Sequence, residues 1–146
     1  MPNRRISNVI AGQSLVTATR EMTVRAACRL MAEKRIGAML IVESNKIVGI
    51  FTERDALNKV LATGVDPDTT TLAQVMVSNP MTIRSDKPLG FALAMMADGG
   101  FRHVPVVDDN GAPLGMVSAR DALGQDMLEL EKEMKRREEL EGSIGY

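Results

Sequence analysis

The 146-residue chain has little of what most site chemistry requires: one cysteine (Cys28), one histidine (His103), one tyrosine, three phenylalanines and no tryptophan. A single cysteine makes no intrachain disulfide, and there is no histidine pair or cysteine cluster to hold zinc. So few aromatic rings leave few platforms on which unpaired bases would stack. Eighteen basic residues stand against nineteen acidic ones, a formal net charge of −1, so no global positive field exists to hold a polyanion and nucleic acid is not an expected partner. No apolar run approaches the roughly 20 residues that span a bilayer, so no membrane partner is expected either. The opening stretch MPNRRISNVIAG lacks the apolar core of roughly 7 to 15 residues that marks a secretory leader. Together with the unpaired cysteine, this sets the expectation of a cytoplasmic protein. The sequence also shows no P-loop with its Lys-Ser/Thr ending and no nucleophile beside a base, so the chain is not expected to be an enzyme.

What the sequence does contain is enough apolar residues for a core. Leu, Ile, Val and Phe make up about a quarter of it, above the roughly one-fifth level below which chains tend to stay disordered. At roughly 100 to 200 residues per domain, a chain of this length forms one compact unit, or two half-size units sharing a core. An internal repeat favours the second. The stretch GIFTERDAL, Gly49 to Leu57, returns 66 residues later as GMVSARDAL, Gly115 to Leu123. Upstream, Thr17, Val24, Ala27, Cys28, Met31, Ala32 and Ile36 return as Thr82, Leu89, Ala92, Leu93, Met96, Ala97 and Phe101, at an offset of 65. One residue is therefore inserted between Val107 and Gly115, where the second copy reads DDNGAPL against ESNKIV in the first. Turns rich in Asp, Asn and Gly absorb such insertions at little cost.

Within each copy the periodicity changes in the same order. Val24, Ala27, Cys28, Met31 and Ala32 fall at i, i+3, i+4, i+7 and i+8, the stripe of a helix lying on a sheet, and Leu89 through Ala97 reproduce it. Short apolar runs follow, Ala38 to Val42 and Val104 to Val107, then the polar turn, then Ile47 to Phe51 and Leu114 to Val117. These predict paired strands. Thr52 and Ser118 stand at the N-cap of a second helix, whose stripe in the first copy is Ala56, Leu57, Val60 and Leu61. Gly99-Gly100 ends the first helix of the second copy where Lys34-Arg35 ends that of the first. The predicted fold class is α+β, with two units that each place two helices on a small sheet. A sheet of that size cannot bury both faces alone, so the units should pack about a pseudo-twofold axis. The boundaries read as an N-terminal segment 1–14, a first repeat 15–64, a linker 65–80 with a short apolar helix at Leu72 to Met76, a second repeat 81–128, and a charged C-terminal helix and tail 129–146. The charged helix carries Met127, Leu130 and Met134 on one face, with Glu131–Lys135 and Glu133–Arg137 as i, i+4 pairs. A helix lying partly on the domain and a self-association surface both fit that pattern.

A tandem of this kind, each copy closed by a glycine, two apolar residues, Thr or Ser, two further residues and Asp, resembles a pair of CBS (cystathionine beta-synthase) domains, a Bateman module. The resemblance covers about Leu15 to Leu128 and is carried by two copies in register and by the run FRHVPVVDDNGAPLGMVSARDAL, Phe101 to Leu123. It implies a tandem CBS pair acting as a regulatory module that binds adenosyl compounds in clefts between its repeats. AMP, ADP, ATP, NADH or S-adenosylmethionine would be the ligand, with no required cofactor. It also implies a homodimer and a regulated protein that the sequence does not identify.

The motif from Gly49 to Asp55 has chemistry of its own as a strand running into a helix. The glycine lets chains approach closely, the Thr52 hydroxyl sits where the helix starts, and Asp55 projects from its first turn. An ionised carboxylate there can accept from both hydroxyls of a ribose. The free amides and positive dipole end suit phosphate, and Arg54 and Arg120 add fork-shaped cationic donors. Ser118 and Asp121 repeat the arrangement. The same residues also read as a capping box, with Thr52 capping the amide of the third helical residue and Asp55 reaching back to the amide of Thr52. The two roles are compatible if each Asp caps when its cleft is empty and turns to the ribose when it is filled. Under the resemblance there are two clefts, one per hydroxyl and carboxylate pair. Adenine would lie near Ala38, Met39 and Val104, Arg102 and His103 would point at phosphate oxygens, and Thr17, Gly37, Thr82 and Pro105 are further ligand-binding candidates. A histidine satisfied by backbone is the competing reading of His103. Gly37 and Ala38 stand in the first copy where Arg102 and His103 stand in the second, so the two clefts are not expected to fill alike.

Cys28, beside Ala27 and Met31 on an apolar helix face, reads as a packed small hydrophobe and not as a reactive thiol. Most of the eleven methionines read as core filler, and Arg4 and Arg5 as a solvated N-terminus. The preferred function is ligand sensing. The alternative is a protein-interaction scaffold with empty clefts, in which Asp55 and Asp121 serve only as caps.

Overall fold

The computed structural model describes residues 4–142, with the backbone alone at 122 and 125–129. In chain order its elements are α1 (Ile6–Val9), β1 (Thr17–Ala18), α2 (Val24–Lys34), β2 (Ala38–Glu43), β3 (Lys46–Thr52) and α3 (Glu53–Asp55), the last running on as a π-helical stretch over Ala56–Leu61. The second half follows as α4 (Leu72–Val75), β4 (Val77–Ser78), β5 (Ile83–Arg84), α5 (Leu89–Gly99), β6 (His103–Val107), β7 (Pro113–Ser118) and α6 (Ala119–Glu141).

Local chemistry explains the main helix ends. α2 begins where the Thr23 hydroxyl accepts from the Ala26 amide at 3.2 Å, and it ends at Arg35 in the left-handed region, φ 55°. α5 ends at Gly100, φ 72°, the same conformation reached without a Cβ. The two hairpins, β2–β3 and β6–β7, are antiparallel; β1 and β5 add in parallel, and β4 completes the first sheet, giving orders β1-β2-β3-β4 and β5-β6-β7. The registers agree between repeats. Ala38 faces Thr52, His103 faces Ser118, and each hairpin has an irregularity at the same place, Ile41/Val42 and Val106/Val107. They diverge only at the tip. Ser44 and Asn45, φ 52° and 60°, make a two-residue turn between Glu43 and Lys46. The second hairpin closes one residue later, through Gly111 at φ 83°, with the Asp108 amide donating to the Ala112 carbonyl at 3.0 Å. The inserted residue lies in this turn.

Alternation along the strands divides the apolar residues among three clusters. Met39, Ile41 and Phe51 pack under Val24, Ala27 and Met31 of α2 and Val60; Val104, Val106 and Val117 pack under Leu89, Ala92 and Met96 of α5. The opposite face of the first sheet, Ala38, Leu40 and Ile50, meets Met116 of β7 and forms the contact between repeats. This is why β2 is buried on both faces. Each fully buried side chain of this size contributes roughly 1.5–3 kcal/mol. The short helices cross over: Leu72 and Val75 of α4 complete the first cluster, while Ile6 of α1, fully buried, belongs to the second.

The N-terminal stretch, read as solvated, is held against the second repeat. Leu89 donates to the Arg4 carbonyl at 2.6 Å and Ile6 to the Lys87 carbonyl at 3.0 Å, while the Arg4 and Arg5 side chains stay exposed. Cys28 is half-buried against the first cluster, and burial pushes its thiol pKa up, as expected of a packed thiol. α6 is one helix of 23 residues, so the charged C-terminal helix continues the last helix of the second repeat; Glu133 and Arg137 pair on it at 3.3 Å.

Candidate functional site

Thr52 ends β3 in extended conformation, so its side chain turns toward the first amides of the helix that follows. Its hydroxyl accepts from the Asp55 amide at 3.2 Å, and Asp55 Oδ2 accepts from the Thr52 amide at 3.0 Å and from the Thr52 hydroxyl at 3.1 Å. The capping box is therefore formed. The remaining oxygen, Oδ1, lies 3.2 Å from Lys59 Nζ. Asp55 is 8% exposed. In the second repeat Asp121 Oδ2 accepts from the Ser118 amide at 2.7 Å and from its hydroxyl at 3.2 Å.

A cavity of about 420 Å³ opens between the repeats beside the first of these pairs. One wall is Ile50 and Thr52 through Asp55; a second is Val77, Asn79, Pro80 and Met81, from the stretch joining the repeats; a third is Gly100 through His103. The volume falls within the roughly 300–1,000 Å³ typical of small-molecule sites. Ile50, Val77, Pro80, Met81 and Phe101 give it an apolar lining, while Glu53, Arg54, Asp55, Arg102 and His103 supply charge and hydrogen bonds. Arg54 Nη1 donates to the Gly100 carbonyl at 3.4 Å and so ties the first wall to the third. Burial pushes the pKa of His103 below its ordinary value; Glu53 and Asp121 oppose that shift and Arg120 adds to it. The imidazole is thus held toward its neutral form. Gly37 permits this arrangement, since a Cβ there would come within 3.2 Å of Glu53 Oε1 and 3.6 Å of His103 Nε2.

Of the site residues read from sequence, the cavity brings together Thr52, Arg54, Asp55, Arg102 and His103. Ser118, Arg120 and Asp121 are gathered at the other pair and do not line it. Met39 and Val104 are fully buried in the two cores, Ala38 and Pro105 are buried as well, and Thr17 and Thr82 are exposed and do not line the cavity. The sequence reading missed the middle wall. Asn79, left-handed at φ 50°, with the Pro80 that follows it, was legible only as turn punctuation. The two pairs also differ in what lies along the neighbouring strand edge. Ile50 of β3 pairs with Val77 of β4, whereas at Met116 of β7 the side-chain amide of Gln13 takes both backbone groups, at 2.9 and 3.0 Å. Among the described residues, no group of three or more acidic, His or Cys side chains is placed to hold a metal, and no helix is long and apolar enough to cross a membrane.

Comparison with known proteins agrees with this architecture. A sequence model described as the CBS domain matches residues 6–62 and again 72–127. Protein MK0525 of Methanopyrus kandleri is 34% identical over 134 residues, covering 89% of this chain and 68% of its own length. The chain spans only about a quarter of the plant relatives it matches: in the Arabidopsis thaliana CBS domain-containing protein CBSCBSPB3, 35% identical, the match covers 84% of this chain and 22% of that one. Among solved structures, the CBS domain pair of protein MJ0100, in complex with 5′-methylthioadenosine and S-adenosyl-L-methionine, superposes with a TM-score of 0.77 at 25% identity, over 88% of this chain and 99% of that one. The CBS domain protein PAE2072 of Pyrobaculum aerophilum, complexed with AMP, does so with 0.74 at 27% identity, over 80% and 88%.

Proposed function

The chain belongs to the CBS-domain family, two of whose domains it carries in tandem, and from that premise we propose that it is a regulatory module binding an adenine nucleotide in the cavity beside Thr52 and Asp55. The observation that carries the reading is a buried carboxylate and two guanidinium groups on one apolar cavity of nucleotide size. The adenine ring lies among Ile50, Val77, Met81 and Phe101. Asp55 accepts from the ribose hydroxyls, and the phosphate turns to Arg54 and Arg102, whose planar cationic forks match its oxygens, with the neutral imidazole of His103 beside them. Two related CBS pairs that hold AMP, or 5′-methylthioadenosine with S-adenosyl-L-methionine, support an adenosyl ligand. Of these, the cationic donors favour the one with a phosphate. Occupancy joins walls from both repeats, so the ligand stabilises one relative arrangement of the halves, and a regulated protein reads that arrangement. No catalytic step is assigned to the site. Self-association would use the exposed leucines of the last helix of each repeat, Leu57, Leu61 and Leu123, and sedimentation of the purified chain reads it directly.

Thermal unfolding with millimolar AMP, ATP, S-adenosylmethionine or 5′-methylthioadenosine tests the assignment. Ligand at about 100 times its dissociation constant adds roughly 2.7 kcal/mol, and AMP is expected to raise Tm by several degrees. No shift with any of the four rejects the sensor. One observation favours the scaffold reading instead: both oxygens of Asp55 already have partners within the chain. In that case alanine at Asp55 lowers stability by about 1 kcal/mol and changes no binding.

A further inference from the structure

The Asp55 carboxylate is held from two sides, and one of its holders lies outside the hydroxyl and carboxylate motif. Lys59 sits one turn on, in the stretch Ala56–Leu61 where the helix widens to π geometry, its side chain 42% exposed. Its ammonium is 3.2 Å from Asp55 Oδ1 and donates to the carbonyl of Val75 at 3.0 Å. Val75 is the last residue of α4, and the carbonyls at a helix end lack partners within the helix and favour a cation. Two residues on, Val77 begins the middle wall of the cavity. One lysine therefore bridges the wall that carries Asp55 and the segment that supplies the facing wall.

We propose that Lys59 is a positioning residue of the nucleotide site. It fixes Asp55 Oδ1, leaves Oδ2 to the Thr52 amide and hydroxyl, and anchors the α4–β4 segment to the same carboxylate, so that the ribose meets an oriented acceptor between two walls already tied together. This rests on the nucleotide reading above. The bridge belongs to the first repeat: 66 residues on, the sequence has Gln125, whose amide carries no charge to pair with a carboxylate.

Isothermal calorimetry of the full chain with AMP, and with 2′,3′-dideoxy-AMP, which lacks both ribose hydroxyls, tests it on the wild type, Lys59→Met and Lys59→Arg. Methionine keeps most of the apolar stem and removes the charge. Loss of a charge-assisted contact is expected to weaken AMP binding about tenfold in Lys59→Met. Lys59→Arg should recover it to within about threefold. The dideoxy analogue should bind all three proteins alike, because Lys59 acts through the ribose contact. Unchanged AMP affinity in Lys59→Met, no rescue by arginine, or an equal loss for both ligands each overturns the positioning role. A wild type that binds no AMP overturns the nucleotide reading on which it stands. Thermal unfolding of Lys59→Met against the wild type separates lost affinity from lost fold.

Discussion

A carboxylate that caps its helix and one that receives a ribose need the same placement, so the capping seen at Asp55 and the ribose contact proposed for it separate only on substitution. Asp55→Asn keeps a side-chain oxygen for the Thr52 amide but loses the charge; it is expected to cost no more than about 1 kcal/mol in denaturant unfolding and to weaken AMP binding by tenfold or more. Asp121→Asn makes the same small change in stability and leaves AMP affinity unaltered, because Asp121 lies off the cavity. His103 gives a pH prediction. Its folded pKa is depressed, chiefly by burial, so at pH values between the folded pKa and the unfolded value of about 6.5 the unfolded chain binds more protons, and stability rises with pH. Acidification from pH 7 is therefore expected to lower Tm, and His103→Gln to remove that part of the slope, read by unfolding scans across pH 5 to 8. Of the candidate site, Thr52 and Asp55 were legible in sequence because a repeated motif marks them, and Arg102 and His103 through the family resemblance. Asn79, Pro80 and Met81 were not, because a cavity wall made by a connecting segment leaves no periodic trace. Nor does local order reveal that Met39 and Val104 face the cores, since a strand buried on both faces loses the alternation that assigns its sides.

At the scale of elements, the two repeats act as internal controls for one another. α2 and α5 both end left-handed, at Arg35 and at Gly100. A side chain in that conformation costs roughly 1–2 kcal/mol that glycine avoids, offset in part by the greater freedom of glycine in the unfolded chain. Arg35→Gly is expected to stabilise by up to about 1 kcal/mol and Gly100→Ala to destabilise by a similar amount, both from denaturant midpoints at unchanged slope. β3 and β7 form a second pair of controls, since Gly49 and Gly115 each leave room for a neighbour: a Cβ on Gly49 would run into the Met76 side chain, and one on Gly115 would meet Gln13 Oε1 at 2.8 Å and Ile10 Cβ at 3.1 Å. The hairpins and their one-residue difference were readable because side-chain period, turn residues and the repeat itself all pointed the same way. The widening of the helix after Asp55 was not, since ALNKVL satisfies an ordinary helical stripe. β4 was equally hidden, since two residues in a strand are too few for any period.

For the molecule as a whole, the decisive feature is that each core is finished by a helix placed beside the other repeat in the chain order. α4 follows the first repeat and closes its core, whereas α1 precedes the first repeat and closes the core of the second, so the chain passes from the second core to the first and back. Ile6 is fully buried among Ile83, Leu89, Val104 and Val117, far from it in sequence, although a residue so near the N-terminus would ordinarily tolerate truncation. Periodicity placed a boundary near residue 15 because four helical residues carry too few apolar positions to register as an element. Ile6→Ala removes buried atoms from a site ringed by strands and α5 that has little freedom to collapse, which predicts a loss of about 2–5 kcal/mol in denaturant unfolding. The repeats share the contact between Leu40, Ile50 and Met116, so that loss is expected in one cooperative transition and not as a separate melting of the second repeat. Fluorescent probes placed on each repeat decide between these outcomes: coincident midpoints for both probes in Ile6→Ala mean the crossed helices bind the halves into one folding unit, while a lower midpoint confined to the second repeat means each core stands alone.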